Sequence, residues 1–159
     1  MEQRGPGAWI PVDTADIVDG VAVLEGEVEY PGDYYLSLLG QRAKAMVFVE
    51  NTTINVTGKA DSIYLADITG STTHDEYKVV NDQITAISEE YMALYQESRT
   101  ARAAGDTVEA DELMEKVNEM YESTTTVQED FVKDNPASYV TPYFLGRVQY
   151  GKEADELEA

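Results

Sequence analysis

The chain has 159 residues, 43% of them hydrophobic, with a formal net charge of −20 at pH 7 and no cysteine. The length suits one domain, or one domain with a helical extension, and the hydrophobic fraction excludes wholesale disorder. The negative charge disfavours nucleic acids and anionic membrane surfaces as partners, and the lack of cysteine excludes disulfides, thiolate metal sites and thiol redox chemistry in this chain.

The first 69 residues show the alternation of apolar and polar side chains that is typical of short strands with one buried face. In one of these strands Ala22, Leu24 and Val28 share a face, and glutamates occupy the other. Turns are predicted at Asp19-Gly20 and at Pro31-Gly32. No connection is long enough for a crossover helix, so the strands should pair antiparallel. Strands are predicted at residues 9–12, 22–28, 34–39, 45–49, 54–58 and 63–69.

After Gly70 the apolar residues recur every three or four positions, which predicts two long helices with an apolar stripe each. The first stripe runs from Tyr77 to Leu94, and the second runs from Leu113 to Phe131. Thr73 is the predicted N-cap of the first helix, and Asp106 has capping-box spacing for the second. A short link between long helices predicts an antiparallel hairpin.

The second helix should end before Pro136, and Ser138 is the predicted cap of a third, shorter helix that ends at Gly151. Residues 153–159 predict the start of a further helix. The predicted fold is therefore α+β: a small antiparallel β-sandwich or partly open barrel, then a long antiparallel helical hairpin and a short third helix. The predicted β part covers residues 1–72, and the predicted helical part covers residues 73–159.

No catalytic, cofactor-binding or metal site is predicted. His74 is the only histidine. It could act as a general base or ligand, but an exposed residue near a helix cap is the favoured interpretation. The carboxylate pairs at residues 89–90 and 111–112 lie beside the apolar stripes, so water should solvate them. Three aspartates between residues 13 and 19 lack the loop pattern of a calcium site.

Aromatic residues offer one candidate ligand surface. Tyr30, Tyr34, Tyr35 and Tyr64 lie on or near predicted strands, where they could form a platform for a glycan or a peptide. Packing in the sheet is the favoured interpretation of the same residues, because aromatic side chains are favoured in strands for packing alone.

The order of several motifs resembles a known family. Residues 20–28 read GVAVLEGEV and residues 30–36 read YPGDYYL, and the resemblance continues at residues 48–51, 54–58, 69–71 and 75–77. The sequence resembles an N-terminal domain of unknown function that precedes the thioredoxin-like domain in envelope thiol-disulfide reductases of the TlpA and AhpC/TSA type, chiefly in Bacteroidetes-type bacteria. The long helical hairpin and the run from Phe131 to Pro136 fit the same family.

The resemblance implies a non-catalytic accessory domain in the periplasm or outer cell envelope, often of a lipoprotein. In such proteins the redox work belongs to a Cys-x-x-Cys in the following domain, so no catalytic residue maps onto this chain. The expected partner is an attached thioredoxin-like domain, another protein, or a second copy in a homodimer. A glycan- or peptide-binding β-sandwich is the alternative. The residues near the N-terminus lack the apolar core of a signal peptide, no run reaches the length of a membrane span, and no cofactor is predicted.

Overall fold

In a computed structural model of the chain, residues 1–149 are described. The chain divides into two compact units, Met1–Tyr77 and Lys78–Ala159. The predicted helix end at Gly151 and the predicted helix at residues 153–159 lie outside the described residues. The architecture is α+β, as predicted: an antiparallel sheet precedes a long helical pair and a short helix, and the sheet is not a closed barrel.

The first unit is built on a four-stranded antiparallel sheet with the strand order β2-β1-β3-β4. The sequence does not predict strand β1, because its three polar residues show no alternation and the strand is held by pairing with β2 on one side and β3 on the other. The strands are β1 (Glu2–Arg4), β2 (Trp9–Pro11), β3 (Gly32–Ser37) and β4 (Lys44–Val49).

The central pair β3 and β4 carries the core of this sheet. Tyr34 lies opposite Val47, and Tyr35 lies opposite Met46. Because successive side chains point to opposite faces, Val47 and Phe48 contribute to different sides of the sheet, and both are buried. Strand β4 is therefore covered on both faces, which explains its nearly continuous apolar sequence.

The predicted strand at residues 22–28 is wrong. Only an isolated bridge between Val18 and Val21 forms, across a turn in which Asp19 and Gly20 have φ values of 52° and 82°. The Asp19-Gly20 turn is thus confirmed. Residues 22–27 keep the alternating pattern of a strand, but within residues 1–149 no strand pairs with them.

A second, two-stranded antiparallel sheet follows, formed by β5 (Asn55–Thr57) and β6 (Asp67–Thr69). A 3₁₀-helix, Ala60–Leu65, connects them and contacts β4. The prediction of a single strand over residues 63–69 is therefore wrong in its first half. A chain that pairs β5 with β6 must reverse direction between them, and the 3₁₀-helix makes this reversal.

Gly70 marks a close approach of two backbone segments. Its φ is 93°, and a Cβ at this position would lie 2.2 Å from the carbonyl oxygen of Thr53. The hydroxyl of Thr52 donates a hydrogen bond of 2.6 Å to the Gly70 carbonyl. Only glycine satisfies both the left-handed backbone and the contact with Thr53.

Three helices follow: α1 (Thr72–Ala103), α2 (Thr107–Asp134) and α3 (Thr141–Val148). The first residues of α1, up to Tyr77, belong to the first unit. In the second unit the predicted stripes are confirmed, because their residues are buried or half-buried while most flanking positions are exposed.

The turn between α1 and α2 is closed by side-chain contacts. The hydroxyl of Ser98, which is buried, donates to the Ala110 carbonyl at 2.8 Å. The carboxylate of Asp106 accepts a 3.0 Å hydrogen bond from the Glu109 N–H, which confirms Asp106 as the N-cap of α2. The sequence therefore predicts this junction correctly, because its cap is local.

Helix α3 begins differently from its prediction. Ser138 accepts a hydrogen bond from the Val140 N–H and lies before the helix, and Val140 is the N-cap without a side-chain hydrogen bond. Pro142 lies in the first turn, as predicted, where its missing N–H costs little. Helix α3 packs on α2, with the rings of Phe131 and Phe144 5.3 Å apart.

The middle of α2 is rich in small hydroxyl side chains. Ser123, Thr124 and Thr126 each donate a hydrogen bond to a backbone carbonyl of the preceding turn. Such bonds compete with the helical ladder, and β-branched residues lose side-chain freedom in a helix. The centre of α2 is therefore its intrinsically weakest part.

The contact at Gly70 yields a test of the fold. We expect Gly70→Ala to lower the free energy of unfolding of the first unit by about 3 kcal/mol, because it adds a backbone collision to the left-handed strain. Gly40→Ala is the matched control: Gly40 has a φ of 82°, but a Cβ there meets nothing within 4 Å. The control should lose only about 1 kcal/mol.

Urea unfolding followed by the fluorescence of Trp9, the only tryptophan, reports on the unit that holds both glycines. If Gly70→Ala and Gly40→Ala lower the free energy of unfolding equally, the collision with Thr53 adds nothing to the cost of the substitution at Gly70.

Candidate functional site

His74 is buried in the first turn of α1, with 6% of its surface exposed. The predicted exposed position is therefore wrong. Its Nδ1 accepts a hydrogen bond from the Phe48 N–H at 3.4 Å, and its ring centre lies 5.6 Å from that of Tyr77. The reason for the burial is packing, since Phe48 and Tyr77 also contact each other with ring centres 5.4 Å apart. This cluster joins the first turn of α1 to β4.

The N-terminus of α1 is capped from two directions. The hydroxyl of Ser71 accepts a hydrogen bond from the His74 N–H at 3.0 Å, so Ser71 is the N-cap and the predicted cap at Thr73 is wrong. Glu50, which follows β4, accepts hydrogen bonds from the N–H groups of Thr72 at 2.5 Å and Thr73 at 3.4 Å. Its other oxygen accepts from the Thr73 hydroxyl at 2.8 Å.

These bonds change the acidity of Glu50. Partial burial would raise its pKa, but the hydrogen bonds from the Thr73 hydroxyl and from the first backbone N–H groups of α1 outweigh it. They hold the pKa of Glu50 below its ordinary value, because they favour the charged carboxylate. The electropositive start of the helix acts in the same direction. Glu50 is thus a structural anion, not a proton donor near neutral pH.

One end of the sheet carries a mixed aromatic and charged cluster. The rings of Trp9 and Tyr35 meet edge to face with centres 4.7 Å apart, and the Lys44 Nζ lies 3.6 Å from the centre of the Trp9 ring. Lys44 also forms an ion pair with Glu2, which lowers the pKa of the Glu2 carboxyl. Trp9 is 43% exposed, so this cluster remains partly open to solvent.

The four tyrosines of the predicted platform occupy different environments. Tyr34 is only 9% exposed, whereas Tyr30 and Tyr64 are largely exposed. Tyr34 and Tyr35 are neighbours in β3, so their side chains point to opposite faces and cannot share one platform. The glycan or peptide platform stays a prediction, and of its four tyrosines Tyr35 contacts the ring of Trp9, which lies outside the predicted set.

The second unit contains an open cleft between α1 and α2, about 290 Å³ in volume. We call it the hairpin cleft. Its apolar lining includes Val79, Val127 and Phe131, and its polar lining includes Asp130 and Asp134. Val79 is 62% exposed, which leaves an apolar contact surface available beside carboxylates.

The predicted carboxylate pairs at residues 89–90 and 111–112 are exposed, in agreement with their placement beside the stripes. Asp111 forms an ion pair with Arg102 across the turn.

Within residues 1–149 no group of three or more histidine, cysteine, aspartate or glutamate residues could hold a metal ion. No described helix is long and apolar enough to cross a membrane.

Comparison with known proteins gives a match to a family model over the first unit. Residues 1–77 match the model of a family described as Domain of unknown function (DUF4369). No curated protein and no solved structure matches the chain. The matched segment ends at Tyr77, where the first compact unit also ends. This shared boundary has a physical basis, since His74 and Tyr77 pack against Phe48 of the sheet.

Several residues that organise the first unit were not singled out from the sequence. Trp9, Glu50 and Asn51 make contacts with residues far away in the chain, such as the pair of hydrogen bonds between Asn51 and the backbone of Val28. Of these three residues, only Trp9 is conspicuous in the sequence, because it is the sole tryptophan. Polar residues directly after a strand are too common to reveal a long-range cap.

The cap predicts a pH dependence. A carboxyl group whose pKa is lowered by folding stabilises the protein above its unfolded pKa, near 4.3, and this stabilisation is lost as the pH falls through the folded pKa. We therefore expect Glu50→Gln to lower the free energy of unfolding of the first unit by about 1 kcal/mol at pH 7, since a charged acceptor becomes neutral.

The difference between Glu50→Gln and the unmodified chain should shrink in urea unfolding as the pH is lowered from 5 towards 3. Glu112→Gln removes an exposed carboxylate from α2 and serves as the control. A difference that stays constant over this pH range would contradict the proposed cap.

Proposed function

We propose that the chain is a non-catalytic accessory module of a bacterial envelope protein, which positions or dimerises an attached thioredoxin-like thiol-disulfide oxidoreductase domain or binds a separate partner protein. The observation that carries the proposal is the hairpin cleft, an apolar surface bordered by carboxylates. The periplasmic or outer-envelope location rests on the resemblance of the sequence motifs. The lack of cysteine assigns any thiol chemistry to another domain or protein.

The chemistry of the hairpin cleft defines the partner that would fit it. Val79, Val127 and Phe131 offer apolar contacts, and Asp130 and Asp134 add negative charge at the same place. An amphipathic helix with basic flanks satisfies both, because helices commonly dock an apolar face between two other helices. The aspartates would then pair with lysine or arginine at the rim.

The distribution of charge supports the same partner. Of the 31 acidic residues 20 lie after residue 73, together with 7 of the 11 basic residues. A strongly negative helical unit attracts basic partners over about one Debye length and accelerates their association at low salt. The long-range field is therefore expected to favour encounter, and the apolar lining is expected to provide the lasting contact.

A substitution that adds negative charge separates the contribution of the apolar contact from that of the electrostatic attraction. Val79→Glu removes an exposed apolar contact and adds negative charge. If a basic amphipathic peptide binds in the hairpin cleft, its dissociation constant should rise about tenfold, the effect of losing one buried valine. If attraction were purely electrostatic, the same substitution would strengthen binding.

The measurement is fluorescence anisotropy with a labelled 18-residue peptide that has leucine on one helical face and lysine elsewhere, and with a scrambled peptide of equal composition. Val108→Glu is the matched control, because Val108 is similarly exposed at the start of α2. Unchanged or tighter binding by Val79→Glu, or equal weakening by Val108→Glu, would refute the hairpin cleft as the binding surface.

The attached domain and the dimer are tested separately. A reading frame in which a Cys-x-x-Cys thioredoxin-like domain follows this segment would support the positioning role, and a frame with no such domain would refute it.

For the dimer, light scattering should give twice the 17.6 kDa mass of the chain at high concentration, and one 17.6 kDa species would count against it.

A further inference from the structure

The first unit contains a segment with the sequence of a strand but without a neighbouring strand. We call residues 22–28 the edge segment. Val18 and Val21 pair across a tight turn at its start, and Val28 is held by Asn51 at its end. Within the described chain, the backbone of residues 22–27 makes no hydrogen bond to another backbone group. The segment is thus fixed at both ends and unpaired between them.

The contact with Asn51 shows which backbone edge is open. The Val28 N–H donates to the Asn51 Oδ1 at 2.9 Å, and the Asn51 Nδ2 donates to the Val28 carbonyl at 2.8 Å. The amide side chain therefore binds Val28 as a residue of a paired strand would. In an extended chain, residues two apart direct their N–H and C=O groups to the same side. Gly26 should face the same edge as Val28.

A cleft lies along this edge. It has a volume of about 520 Å³ and is lined by Gly26 and Glu27 on one side and by residues 51–53 on the other. A Cβ at Gly26 would meet nothing within 4 Å, so no other group covers the face of the segment to which this Cβ would point. Glycine within a strand pattern often marks a place where another backbone approaches closely.

The side chains define the occupant. Val21 and Val23 are 63% and 66% exposed, and they are followed on the same face by Glu25, Glu27 and Glu29. A cluster of exposed β-branched residues beside an unpaired backbone is a template for strand addition. In an alternating partner strand the cations would lie opposite Glu25 and Glu27 on this face, and the apolar residues would lie opposite Ala22 and Leu24 on the other face, which stabilises both kinds of pair.

We infer that the edge segment binds an extended peptide strand in which apolar residues alternate with lysine or arginine. The strand would pair with residues 22–26 and continue the hydrogen bonding that Asn51 begins at Val28. The row of glutamates favours such a basic strand over a second copy of this chain. The site lies in the first unit and does not depend on the function proposed for the hairpin cleft.

Amide hydrogen exchange by nuclear magnetic resonance tests this inference. The probe is an acetylated and amidated eight-residue peptide of alternating valine and lysine, and the control peptide alternates valine and glutamate. At saturation the first peptide should slow exchange at residues 22–26 at least tenfold, and the second should not. Binding of the valine–lysine peptide without slower exchange in the edge segment would overturn the inference.

A charge exchange supplies the second arm. The double variant Glu25→Lys, Glu27→Lys should bind the valine–lysine peptide at least tenfold more weakly than the unmodified chain does. It should also bind the valine–glutamate peptide, which the unmodified chain should not bind. The pair Glu115→Lys, Glu119→Lys makes the same charge change at exposed positions of α2 and should leave the exchange protection intact. Equal weakening by both pairs would overturn the site.

Two further outcomes are informative. Slow exchange in the edge segment that appears without peptide and grows with protein concentration would identify a second copy as the occupant and overturn the basic strand. Val79→Glu should leave the protection by the valine–lysine peptide unchanged, which separates a failure at the edge segment from a failure at the hairpin cleft.

Discussion

The charge-assisted hydrogen bonds between Glu50 and the first turn of α1 fix where the helix begins relative to the strand before it. One carboxylate satisfies two N–H groups that a helix start leaves without partners, and it also binds the Thr73 hydroxyl. Its immediate neighbours have related tasks. Phe48 contacts His74, Asn51 holds Val28, and Thr52 binds the carbonyl of Gly70. The residues that end β4 thus organise most of the first unit.

The same concentration of contacts explains the limits of prediction from sequence. The helices were predictable because their stripes repeat within each turn, and the Asp106 cap was predictable because donor and acceptor are three residues apart. Glu50 caps a helix that starts 22 residues later, and no local pattern reveals such a pair. The sequence predicts His74 at the surface, because its burial depends on Phe48, which is 26 residues away in the chain.

The edge segment illustrates a different limit. Its alternation of side chains predicts a strand that the structure does not form, because a strand becomes part of a sheet only when a neighbour supplies hydrogen bonds. The sequence also does not show that Tyr34 and Tyr35 lie on different faces until β3 is placed, because only consecutive residues of one strand are sure to face opposite sides. The hairpin cleft and the edge segment, on which the functional proposals rest, both combine apolar contacts with carboxylates.

The hydroxyl-rich centre of α2 has a mechanical consequence. Bonds from Ser123, Thr124 and Thr126 to the preceding carbonyls draw on acceptors that also serve the helical ladder. Bending is therefore easiest between the capped start of α2 and its last turns, where Phe131 packs on α3. Bending of α2 at its centre would change the width of the hairpin cleft beside Val127, whereas the turn capped by Asp106 would keep its shape.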